Sequence, residues 1–188
     1  RHLDLALRPA QSQRMTATKP IASVVTGPAA SAVLPTLLSR PYPAVMGILN
    51  VTPDSFSDGG RFVAPEQALT QARRLVAEGA DIIDIGAEST RPYGSQPVTA
   101  DDELARLKPV LAEVIALGVP VSIDSMKSEV VAWALDQGAV IANDVWGLQR
   151  DPDMAPVVAA RGAPVIVMHN RESADPSIDI MRDITAFF

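Results

Sequence analysis

The chain has 188 residues, 47% hydrophobic and 20% charged, a globular balance that excludes wholesale disorder. Sixteen Lys and Arg against 22 Asp and Glu leave a net charge of −6, which argues against non-specific binding to nucleic acid or an anionic membrane. Cysteine is absent, so disulfides, thiolate nucleophiles and cysteine metal sites are excluded, and a cytoplasmic setting fits.

Residues 1–43 hold Pro9, Pro20, Pro28, Pro35, Pro41 and Pro43, too closely spaced for a long helix. They are expected to form a flexible, loosely docked tail. Residues 21–39 are uncharged, but Gly27-Pro28 and Pro35 interrupt them and they are too weakly apolar for a membrane helix. The chain starts at Arg1 rather than Met, with Met15 as a candidate start, so a fragment of a longer protein is expected.

From residue 44 to 188 short apolar runs alternate with segments of helical period. Ala44–Leu49 predicts a buried strand. Pro65–Glu78 predicts a helix, with Pro65 in its first turn and Gly79 as its stop. Asp81–Gly86 predicts the second strand, Ala100–Leu117 a helix, Val119–Asp124 the third strand and Ser125–Gln137 a helix. Ala139–Asn143, Pro152–Arg161, Pro164–Met168 and Ser177–Phe188 continue the alternation. Four helices stop at a glycine just before a strand, at Gly79, Gly118, Gly138 and Gly162, so one supersecondary unit recurs. Repeated βαβ units imply a parallel sheet. A (β/α)8 barrel and a doubly wound sheet both fit. No G-x-G-x-x-G follows any strand, which weakens the nucleotide-binding open sheets. A complete barrel needs ~250 residues, more than are present.

Each strand leads into polar residues at its carboxyl end: Asn50, then Glu88 to Arg91, Asp124, Asn143-Asp144 and His169. In parallel α/β folds these ends converge on one face, where sites form. Asp124 and Asn143 suit the donor-acceptor edge of a heterocycle. Asn50, Thr90 and Arg91 suit a phosphate with a metal ion. With only His2 and His169 as histidines, zinc is disfavoured and Mg²⁺ held through waters and substrate phosphate fits better. Asp84, inside a strand on the face of Ile82 and Gly86, must be paired or point into a polar barrel mouth, and a structural network is expected. The turn-rich loop Asn50–Gly60 reads as a surface loop or as a mobile lid carrying Phe56.

The stretch Gly47-Ile48-Leu49-Asn50-Val51-Thr52-Pro53-Asp54-Ser55-Phe56-Ser57-Asp58-Gly59-Gly60 resembles the first signature of the dihydropteroate synthases, and Asp81 to Pro92 (D-I-I-D-I-G-A-E-S-T-R-P) resembles the second. Val121–Ser125, Ile141–Val145 and Val165–Asn170 match the third, fourth and fifth strand ends of that family. The resemblance covers residues 44–188. It implies an α/β (β/α)8 TIM barrel of which about the first five β/α units are present. It also implies a reaction: p-aminobenzoate displaces diphosphate from the methylene carbon of a dihydropterin, by an SN1-like route whose cation the pterin ring spreads. The diphosphate departs first, so no strong general base is needed.

By the same resemblance Asn50 would hold Mg²⁺ beside the diphosphate, and Thr90 and Arg91 would bind the diphosphate oxygens. Asp124 and Asn143 would read the pterin ring, with Val145 and Met168 as apolar walls. Phe56 and Pro92 would flank p-aminobenzoate, and Asp54 would help order the site. The partners implied are these two small molecules, with no nucleic acid or membrane and with a homodimeric parent. The family's later aspartate, Ser-Arg-Lys segment and final arginine and histidine have no counterpart here. The chain alone is therefore expected to fold poorly or aggregate, to be inactive, and to lack the family's dimer contact. Two other readings are a pterin-binding methyltransferase domain using methyltetrahydrofolate, against which the Asn50–Gly60 loop and Thr90-Arg91-Pro92 argue, and a non-catalytic barrel remnant.

Overall fold

Five apolar runs become five strands, all paired in parallel. The computed structural model describes residues 32–52, 60–88 and 98–188. The strands are β1 (Met46–Asn50), β2 (Ile82–Gly86), β3 (Val121–Asp124), β4 (Ile141–Asp144) and β5 (Val165–Val167). They lie side by side in chain order, β1-β2-β3-β4-β5. A doubly wound sheet reverses its strand order at a switch point. Unbroken sequential order instead sends every crossover the same way, as in a β/α barrel.

The helices are α1 (Val33–Leu38), α2 (Gly60–Ala77), α3 (Ala100–Leu107), α4 (Leu111–Ile115), α5 (Ser128–Gln137), α6 (Met154–Arg161) and α7 (Ile180–Phe187). Most elements begin or end one to three residues from where the sequence places them, and two differ more. The single helix expected over Ala100–Leu117 is two helices, α3 and α4. Pro109 lies between them; it lacks the N–H that an unbroken helix needs and clashes with the preceding turn. Helix α2 begins at Gly60, so Pro65 sits inside it rather than in its first turn. The apolar periodicity starts only at Ala68, so nothing in the pattern marked the earlier residues.

The four glycine stops sit where the reading put them. Gly79, Gly118, Gly138 and Gly162 all have positive φ, from 59° to 114°. Gly138 and Gly162 are the left-handed C-caps of α5 and α6, and Gly79 and Gly118 turn the chain shortly after α2 and α4.

Side chains alternate across each strand. One face carries Leu49, Ile83, Ile85, Val121, Ile123 and Ala142, packed under Ala68 and Ala72 of α2, Leu104 and Leu107 of α3, Val114 of α4, Val130 of α5 and Met154 of α6. Burying each large aliphatic side chain there contributes ~1.5–3 kcal/mol. The other face is the barrel interior. Its lower part holds a second apolar cluster, in which Val33 and Leu37 of α1 cover Ile82, Val140 and Ile141, with Met46 and Ile166 alongside. The described end of the expected tail thus contains a helix docked across the amino-terminal ends of the strands. Arg40 reinforces it by donating to Asp81 Oδ1 at 2.9 Å, while Asp81 Oδ2 accepts from the Val45 amide at 3.0 Å. Farther along the interior face Ile48 is 64% exposed and Met168 49%.

Candidate active site

Register brings the strand-end polar residues into one row. Asn50 pairs with Gly86, Gly86 with Asp124, Asp124 with Asn143, and Asn143 with Ile166. One step deeper run Ile48, Asp84, Ser122 and Ile141. Both rows point into the barrel interior at the carboxyl ends of the strands. Gly86 makes room for the row: a Cβ there would stand 3.3 Å from Asp124 Cβ and from Asp124 Oδ2. Asp124 leans over that gap.

The polar atoms of the two rows are under-satisfied. Asn143 Nδ2 donates to Asp84 Oδ2 at 3.0 Å. Asp84 Oδ1, Ser122 Oγ, Asp124 Oδ1 and Asn143 Oδ1 are buried without a hydrogen-bond partner among the described residues. A buried acceptor left unmade costs roughly 1–3 kcal/mol, so four together mark a place that a ligand completes. Burial pushes the Asp124 carboxyl up to about 7, and the carboxylates of Asp84, Glu103, Asp144 and Glu88 add to the shift. Burial likewise raises the Asp84 carboxyl, while the neighbouring Ser122 hydroxyl and the Asn143 amide pull it the other way. A strongly shifted carboxyl in a polar strand-end cluster is the electrostatic mark of a functional site.

A second polar cluster, missed in the sequence, supports the row from behind. Lys127, just after β3, donates to both Glu88 and Glu103. Glu103 is fully buried in the first turn of α3 and also accepts from Ser125 Oγ at 2.9 Å. Glu88 accepts from the Val98 amide at 3.2 Å, and Arg106 donates to the Ala87 carbonyl at 2.6 Å. Burial pulls Lys127 down, but its bonds to Glu103 and Glu88 outweigh it and hold the ammonium above its ordinary range. Ser125, whose amide donates to the Asn143 carbonyl at 3.2 Å, joins this cluster to the row. A buried Glu in an acidic first helical turn was the available signal, since α3 opens Asp101-Asp102-Glu103 and only Glu103 faces inward.

The expected site residues divide as follows. Asn50, Asp124 and Asn143 share the row. Val145 is buried just beyond β4, and Met168 lies beyond β5 with its amide donating to the Asp144 carbonyl at 3.4 Å. Asp54, Phe56, Thr90, Arg91 and Pro92 lie outside the described residues. Asp144 faces away from the row and shapes the next turn, accepting from the amides of Trp146 at 2.9 Å and Leu148 at 2.7 Å. His169 is paired with Asp183 of α7 at 2.6 Å, with the edge of Phe187 against its ring. Among the described residues no three His, Cys, Asp or Glu side chains cluster as a ready metal site. Nor is any described helix long and apolar enough to cross a membrane.

Residues 46–185 match the family described as pterin binding enzyme. Dihydropteroate synthase of Bacillus subtilis is 51% identical over 128 residues, which is 68% of this chain and 45% of that protein. Dihydropteroate synthase type-2 of Escherichia coli is 45% identical over 152 residues, 77% of this chain and 55% of that protein. A crystal structure of dihydropteroate synthase from Clostridium difficile, in the presence of pteroic acid, superposes with a TM-score of 0.73 at 47% identity, covering 77% of this chain and 55% of that one. The Anaplasma phagocytophilum dihydropteroate synthase with bound 6-hydroxymethylpterin-monophosphate superposes with a TM-score of 0.69 at 40% identity, covering 77% and 58%. The chain spans about half the length of the curated relatives it matches.

Proposed function

The chain belongs to the pterin binding enzyme family, and on that premise we propose that it carries the pterin-reading part of a dihydropteroate synthase. The reaction is the condensation of 6-hydroxymethyl-7,8-dihydropterin diphosphate with p-aminobenzoate to 7,8-dihydropteroate and diphosphate, a step of folate biosynthesis. The observation that carries this reading is the in-register row Asn50, Gly86, Asp124, Asn143, with buried acceptors on Asp124 and Asn143 that lack partners among the described residues.

Each residue then has a physical task. Asp124 and Asn143 accept from the N–H groups of the heterocycle, which ends the isolation of their oxygens. Binding a ring that turns cationic as diphosphate leaves also relieves the repulsion among Asp124, Asp84, Asp144, Glu103 and Glu88. Negative charge placed beforehand around a developing cation lowers the barrier to its formation. Val145 and Met168 wall the ring. Thr90 and Arg91 bind the diphosphate oxygens, Phe56 and Pro92 flank p-aminobenzoate, and Asp54 orders the site around them. Asn50, exposed at the mouth of the row, offers the hard neutral oxygen that suits Mg²⁺ held mainly by waters and substrate phosphate. When bound, that ion neutralises the leaving diphosphate. A cytoplasmic setting and a homodimeric full-length form belong to the same proposal.

Binding tests it directly. Calorimetric titration of the chain with the dihydropterin diphosphate should show saturable binding that Mg²⁺ strengthens. Asp124→Ala should weaken it at least about tenfold, the scale of one charge-assisted hydrogen bond. Tighter binding of methyltetrahydrofolate, or an unchanged affinity in Asp124→Ala, would overturn the reading in favour of a methyltransferase domain or a remnant.

A further inference from the structure

Asp84 does not stand at the mouth of the site, yet it decides what the mouth can recognise. It sits one residue pair below the row, on the same interior face, 5% exposed. Among the described residues no cation pairs with it. It accepts from Asn143 Nδ2 at 3.0 Å, and the Ser122 hydroxyl lies beside it on the paired strand. An ionised carboxylate only accepts hydrogen bonds, whereas an amide has one donating and one accepting end. Asp84 therefore takes the donor end of Asn143 and turns the acceptor end away from itself. That end, Asn143 Oδ1, is buried and has no partner among the described residues, and the same holds for Oδ1 of the neighbouring Asp124. The row thus presents two acceptors side by side.

We propose that Asp84 is a positioning and specificity-determining residue: by holding the Asn143 amide in one orientation it makes the site select a heterocycle with N–H donors along its bound edge and reject the analogue with an oxo group there. This rests on the pterin reading for the identity of the ring. A pterin carries an exocyclic amino group beside ring N–H. A lumazine carries an oxo group in place of that amine, which would set acceptor against acceptor. A site built to hydrogen-bond a ligand group rejects the analogue lacking it far more strongly than an apolar pocket does, because its own buried polar groups stay unpaired. If residue 84 could donate as well as accept, the Asn143 amide could turn over and the preference would fade.

The experiment has two arms on the full 188-residue chain, wild type and Asp84→Asn. In the first, ¹⁵N-labelled protein without ligand is observed at the Asn143 side-chain amide, identified by its loss in Asn143→Ala. The wild type should show exchange-protected Nδ2 protons, and Asp84→Asn should cut that protection about tenfold, the scale of one hydrogen bond. In the second, affinities for 6-hydroxymethylpterin and 6-hydroxymethyl-lumazine are compared. The wild type should favour the pterin, and the ratio should fall at least about tenfold in Asp84→Asn. An unprotected Asn143 amide in the wild type, or a pterin-to-lumazine ratio unchanged by the substitution, overturns the proposal. A wild type that binds neither compound overturns the pterin reading instead, while the amide signature still decides whether Asp84 orients Asn143. Should Asp84→Asn not fold, the wild-type amide and the wild-type ligand preference decide alone.

Discussion

Replacing Asp124 by Asn should stabilise this fold at alkaline pH. Asp124 lies in the row with no cation beside it among the described residues, and its carboxyl is pushed from its ordinary value of 3.8 up to about 7. Each tenfold change in acidity corresponds to ~1.4 kcal/mol. The ionised form is therefore disfavoured in the folded chain by at most about 4 kcal/mol. The sign follows from proton counting. Between pH 4 and 7 the folded state binds more protons at this site than the unfolded state, so stability falls as pH rises through that window and is flat above it. Carboxyls held below their ordinary range, such as those of Asp151, Asp136 and Asp183, act in the opposite sense but below about pH 4. They do not interfere between pH 5 and 8.

The assay is urea denaturation of wild type and Asp124→Asn at pH 5, 6, 7 and 8. The advantage of Asp124→Asn should be smallest at pH 5, roughly a third of its full size, and should grow until about pH 7. At pH 8 Asp124→Asn should be more stable by ~1–4 kcal/mol. The upper figure assumes Asp124 titrates alone, and Asp84 beside it is also raised and shares part of the slope. Equal pH slopes in the two proteins, or a less stable Asp124→Asn at pH 8, would refute the placement of an uncompensated carboxylate here. The same substitution should weaken pterin binding, so the site is held at the expense of stability.

Three further substitutions probe the frame around the site. Leu37→Ala removes a 4% exposed side chain from the contact between α1 and the barrel interior and should cost ~2–3 kcal/mol by thermal or urea unfolding. No measurable loss would mean that α1 does not dock. Gly147→Ala should cost roughly 2–4 kcal/mol, because φ is +62° and the new Cβ would stand 2.6 Å from Phe187 Cζ. Phe187→Ala in the same background should recover part of that loss if the clash is real. Ile48→Ser should change stability by less than ~0.5 kcal/mol, since Ile48 is 64% exposed on the interior face, and should reduce self-association measured by light scattering. A large loss of stability would mean that this face is covered.

What the sequence showed and what it hid have separate physical causes. The alternation of short apolar runs with glycine-stopped helices reports local backbone preferences, so five parallel strands and the four positive-φ glycines between helix and strand could be read directly. Parallel pairing then forces every strand end onto one side, which is why the sequence alone groups Asn50, Asp124 and Asn143. Pro109 was equally visible, but the apolar period runs through Leu104, Leu107, Leu111 and Val114 on both sides of it, and the period concealed the break. Helix α1 was hidden for the opposite reason. Its two buried residues, Val33 and Leu37, are too few to stand out from a proline-rich stretch, and only the apolar floor of the barrel gives them a partner.

The polar contacts that tune the site were out of reach because they join distant positions. Lys127 meets Glu88 and Glu103 only once α3 packs beside β3, and Asn143 meets Asp84 across two strands and 59 residues. Spacing along the chain carries no trace of either. Asp84 alone could be flagged, as a carboxylate inside a strand that must find a partner. The partner it found is a neutral amide, which leaves the charge without a cation among the described residues and fixes the amide's direction. A core selected for stability alone would have replaced that carboxylate with an apolar residue. Its presence, beside Asp124 and within one residue pair of Asn143, therefore points to a ligand whose N–H groups supply what the protein withholds.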